Sequence, residues 1–169
     1  MRYWKSSLFF IAALLIQTNI LNLFSIFGYT PNLSLALVIA FSFLLRGEMH
    51  GFILGTISGI LFDIAFSPVI GTTAIPLFVV ALFIYVACYT VNNESYINMA
   101  LFSVLSIIIY YGTSRLILRL AGDPRGILIA LKPAIFSGIY TLIVSMLIFS
   151  AMLSKRKKNR TDRHKRWLI

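Results

Sequence analysis

The sequence predicts an all-α integral membrane protein with six transmembrane helices. Three observations carry that expectation. Of the 169 residues, 59% are hydrophobic. The mean hydropathy is +0.90. Polar breaks divide the apolar sequence into stretches of helix length. Charged residues make up 12%, against about 25% in a soluble domain. A soluble fold of this size has too little interior to hide so much Leu, Ile and Phe, and disorder requires the opposite composition. The single cysteine, Cys88, has no internal partner, and His50 and His164 are the only histidines, too few for a zinc or haem site.

A spanning helix needs about 20 apolar residues at about 1.5 Å of rise each. The first span is Ser7–Phe27. Its start, MRYWKSS, is positive like a signal peptide, but no small-residue cleavage site follows, so the segment is expected to stay as a helix. Pro31–Phe66 is interrupted by RGEMH at 46–50 and reads as a helical hairpin. Its halves, Pro31–Leu45 and Gly51–Phe66, reach only roughly 22–24 Å, which leaves open that the hairpin is partly re-entrant. Thr30 is the expected N-cap with Pro31 at the first helical position, and Gly47 the expected stop. Thr73–Val91, Ile97–Leu120 and Leu128–Leu153 complete the set, with Pro133 near the start of the last. Asp123-Pro124 is expected to open a short helix before it. Residues 1–153 thus form the transmembrane domain and 154–169 a basic cytoplasmic tail.

The net charge of +10 is uneven. Lys155, Arg156, Lys157, Lys158, Arg160, Arg163, Lys165 and Arg166 crowd the last fifteen positions. Such a run suits nucleic acid, but directly after an apolar helix it reads as an anchor on anionic lipid headgroups. Six helices put Arg2, Lys5, Arg46 and the tail on one side, and Arg115, Arg119, Arg125 and Lys132 on the other. The positive-inside rule makes the first side, with both termini, cytoplasmic. The four outer basic residues run against that trend.

Gly51, Gly55, Gly59 and Asp63 recur at a spacing of four and so share one broad helix face. Glycine lets another helix backbone approach closely, either inside the bundle or on a partner's helix. Asp63 is an acid at membrane depth, a candidate ion ligand, proton carrier or structural pair. Arg115 and Arg119 share a face near the outer end of their helix, at a depth comparable to Asp63. An Asp63–Arg115 pair is one expectation, and snorkelling of Arg115 to the outer interface is the other. Tyr3, Trp4, Tyr110, Tyr111 and Trp167 are expected in the aromatic belts. Gln17, Asn19 and Asn22 are expected to bond across helices. No nucleophile–base set, phosphate loop or carboxylate pair is present, so neither catalysis nor a cofactor is expected.

The run PNLSLALVIAFSFLLRGEMHGFILGTISGILFD, followed by SPVIGTTAIP, resembles the rod shape-determining protein MreD family. The resemblance rests on Pro31, Asn32, Leu33, Arg46, Gly47, the glycines at 51, 55 and 59, Asp63, Pro68 and Gly71, over about a quarter of the chain. It implies a six-helix fold like that of the substrate-binding S subunits of energy-coupling-factor transporters. It also implies an inner-membrane scaffold of the cell-elongation complex that binds MreC, supports lateral peptidoglycan synthesis and catalyses nothing itself. No small-molecule substrate or nucleic acid is expected. Two alternatives stay open: a vitamin-binding S subunit, with a pocket from Asp63, Arg115 and Gln17, and an ion- or proton-coupled transporter, weakened by the lack of a second core acid.

Overall fold

The computed structural model describes residues 30–44, 50–67, 69–87, 91, 94–123 and 127–166. Among them are five helices and no strand: α1 (Leu33–Leu44), α2 (His50–Phe66), α3 (Ala74–Ala87), α4 (Tyr96–Leu120) and α5 (Ile127–Arg166). The first expected span, with Gln17, Asn19 and Asn22, lies outside the described residues, as do Arg46, Gly47 and Pro68.

Helix α1 is the core. It packs against α2, α3, α4 and α5, and every residue from Ser34 to Leu44 is buried. A helix apolar on all sides has no face for water and takes the centre of a bundle. Phe43 anchors it, with ring centroids 5.5 Å from Phe102 of α4 and 5.8 Å from Phe149 of α5, distances at which tilted rings attract.

Leu77, Val80, Ile84, Met99 and Phe149 complete the apolar interior, but the rest of the burial pattern departs from that of a soluble bundle. Large aliphatic side chains face outward on every other helix, including Ile64, Val86, Ile97, Leu120 and Leu147. Inside lie Ser34, Ser42, Ser58, Ser103, Ser106, Thr141 and Ser145. Small hydroxyl residues between helices and aliphatics outside are how helices pack when the solvent is hydrocarbon. Two stretches, Tyr96–Leu120 and Lys132–Lys155, are long and apolar enough to cross a membrane. The other three helices have 12, 17 and 14 residues, so about 18–26 Å of rise, short of a full crossing by themselves.

Two boundaries differ from expectation. Helix α1 starts at Leu33, and its cap is Asn32 rather than Thr30: the Leu35 N–H donates to Asn32 Oδ1 at 2.9 Å. Pro31 therefore precedes the helix and is buried, while the Thr30 carbonyl accepts from the Ser137 hydroxyl of α5 at 2.7 Å. At the other end of the chain the backbone does not break at 153. Helix α5 contains Pro133 and continues to Arg166, so the basic segment is an extension of a membrane-length helix, about 60 Å in all.

Candidate functional site

The site is built on the last turn and a half of α2 and the turn that follows. Asp63 is 1% exposed. Beyond Phe66 the chain reverses, and Gly71 adopts φ +102°, a conformation that costs an L side chain about 1–2 kcal/mol. That reversal aims successive N–H groups at the carboxylate. Gly71 N–H donates to Oδ2 at 2.8 Å, Thr73 N–H to Oδ1 at 2.9 Å and Ala74 N–H to Oδ2 at 2.9 Å. The Thr72 hydroxyl donates to Oδ1 at 3.2 Å. The first N–H groups of a helix have no partner within it and carry the positive end of its dipole. Asp63 accepts the first of these in α3, Ala74 N–H, together with N–H groups of the turn before it, which fixes α2 to α3 at a corner.

The glycines of the stripe make this corner possible. A Cβ on Gly59, one turn before Asp63, would fall 2.7 Å from Ala74 Cα, and one on Gly55 would fall 2.6 Å from Val38 Cγ2 of α1. Gly59 thus faces α3 backbone and Gly55 faces the core helix. In both places the stripe is an internal contact, the first of its two expected uses. Gly51 lies in the first turn of α2.

Beside the corner, polar contacts join the entry to α1 with α4 and α5 at the same end of the bundle. The buried Tyr110 side chain of α4 lies beside the side chains of Asn32 and Thr73. The Asn32 N–H donates to Thr141 Oγ1 of α5 at 3.0 Å. Tyr111 donates to Ser137 Oγ at 2.7 Å. Tyr110 is only 7% exposed, so the pair Tyr110–Tyr111 belongs to this interior network rather than to an aromatic belt. The sequence gives one signal for it: two adjacent tyrosines within an otherwise aliphatic span put hydroxyls at a depth where each must find a partner.

The Asp63–Arg115 pair is not formed. Arg115 Nη1 donates to Asp123 Oδ2 at 2.8 Å. The cause is the end of α4. Asp123 N–H donates to the Leu118 carbonyl and Gly122 N–H to the Arg119 carbonyl, with Gly122 at φ +90°. This is a Schellman stop, and it folds Asp123 back over the preceding turns. Asp123 is thereby an ion-pair partner on the near side of the loop; the short helix expected after Pro124 lies outside the described residues. Arg119, one turn beyond Arg115, is exposed.

Chemically the carboxylate of Asp63 is saturated. A metal ion or ligand that took its oxygens would have to break the start of α3, at a cost of several kcal/mol for a buried charge-assisted set. Among the described residues no group of three His, Cys, Asp or Glu side chains is placed to hold a metal. The chain matches no family model, no curated protein and no solved structure.

Proposed function

We propose that the chain is a multi-pass scaffold of the bacterial inner membrane, a member of the cell-elongation machinery that binds MreC and supports lateral peptidoglycan synthesis and rod shape. It would have six transmembrane helices in an arrangement like that of energy-coupling-factor S subunits, both termini in the cytoplasm, and the basic end of α5 on anionic lipid. The partner and the process come from the resemblance to the MreD family. One observation of this chain carries the choice of scaffold over transporter. Asn32, Gly55, Gly59, Asp63 and Gly71, five residues on which the resemblance rests, each cap a helix, permit a close helix approach or build a turn. Such residues hold a rigid shape, and a rigid shape is what a scaffold presents to its partners. The eleven-to-four division of basic residues supports the orientation.

The test is purification of the chain in mild detergent from the bacterial membranes in which it is made, followed by mass spectrometry of everything bound. MreC in stoichiometric amount is the expected result. A stoichiometric vitamin with no partner protein would replace the scaffold with an S subunit.

A further inference from the structure

Arg115 has one nitrogen in use and two without a partner. Nη1 is held by Asp123 at 2.8 Å, whereas Nε and Nη2 are buried and make no hydrogen bond among the described residues. Those two nitrogens form one edge of the guanidinium plane. Their N–H bonds run parallel and match the two oxygens of a phosphate or carboxylate. Asp123 thus clamps the plane by its far corner and leaves the bidentate edge unused. A buried cationic donor pair without an acceptor is an incomplete arrangement, and the side chain that carries it is 17% exposed.

The surroundings identify the anion. Arg115 sits in the last two turns of a helix long and apolar enough to cross a membrane, the level at which phospholipid phosphates lie. Leu116 and Leu120 beside it are 60% and 82% exposed and offer an apolar wall for acyl chains. The carbonyls at the end of α4, which would repel an anion, are partly covered by the N–H groups of Ala121, Gly122 and Asp123.

We propose that the Nε–Nη2 edge of Arg115 is a binding site for the phosphate of a phospholipid headgroup, held in register by Asp123. The site depends on the chain lying in a bilayer but not on its binding MreC, so the two readings fail separately.

The experiment is native mass spectrometry of the full chain released from detergent, with phosphatidylglycerol, a matched diacylglycerol without phosphate, or inorganic phosphate added. Phosphatidylglycerol should remain bound at one molecule per chain, diacylglycerol should not, and millimolar inorganic phosphate should compete. Arg115→Lys keeps the charge and loses the fork, and should lower lipid retention about tenfold. Asp123→Asn keeps the fork and loses the clamp, and should lower it about threefold, which keeps the test open if Arg115→Lys does not fold. Arg119→Gln should change it less than twofold. Equal retention of diacylglycerol, no competition by inorganic phosphate, an equal loss in Arg119→Gln, or unchanged retention in the folded Arg115 and Asp123 variants would each overturn the proposal.

Discussion

Gly59 and Ala74 touch backbone to backbone: a Cβ on Gly59 would fall 2.7 Å from Ala74 Cα, and one turn later Asp63 Oδ2 accepts the Ala74 N–H at 2.9 Å. The two contacts depend on each other. Without the glycine α3 could not approach, and without the approach the carboxylate would be buried with no donors. Spacing of four along α2 is what lets one face supply both.

The glycines should therefore differ in tolerance. Gly59→Ala meets backbone, which cannot turn aside, and is expected to destabilise by about 2–3 kcal/mol, within the range for overpacking. Gly55→Ala meets the end of the Val38 side chain and should cost about 1 kcal/mol, much of it recovered in Gly55→Ala combined with Val38→Ala. Unfolding of each variant in a mixed-micelle denaturant titration checks the order. Equal losses at the two positions would mean that the corner is looser than the geometry requires.

Asp63→Ala should cost about 3–5 kcal/mol, because it leaves the N–H groups of Gly71, Thr73 and Ala74 buried without an acceptor. Asp63→Asn should lose part of that, since its amide sets a donor against donors. The folded yield in detergent and the unfolding midpoint report both.

Arg115→Gln should not rescue Asp63→Asn. The two side chains have separate partners, so their effects should add within about 0.5 kcal/mol. A double-mutant cycle measures this directly. A clear rescue would put the two charges in contact and contradict the geometry at both sites.

Topology is checked by labelling. In a Cys88→Ser background, Ala121→Cys should react with a membrane-impermeant thiol reagent from outside, and Glu94→Cys should not. The opposite pattern would place both termini outside.

Truncation after Leu153 removes more than three turns of α5 along with its positive charges. Flotation with vesicles of anionic and neutral lipid should show a reduced preference for the anionic ones. Co-purification with a partner on the other side of the membrane should persist. Loss of the partner at normal membrane levels would move that contact to the cytoplasmic face.

Much of this protein is written in its sequence. Composition alone selects helices with aliphatic surfaces, because no soluble core of this size could hold them. The edges of α2 and α4 fall within a residue of where the polar breaks put them, since a helix stops where apolar residues do and turn-formers begin. The glycine stripe was legible too, as a face for close approach.

The tertiary structure alone decided which groups meet. Helical rise gives the depth of Asp63 and Arg115 along an axis, but depth says nothing about direction around the helix or about what a loop folds over it. Asp63 is met by backbone amides, which every sequence position carries and which therefore leave no pattern to read. Arg115 is met by Asp123 because a Schellman turn with Gly122 at positive φ reverses the chain, and Tyr110 reaches Asn32 and Thr73 only once α1, α3 and α4 converge. Hydrophobic pattern sets which segments are helices; the choice among partners for a buried polar group is made by whichever donor the packed backbone brings within about 3 Å.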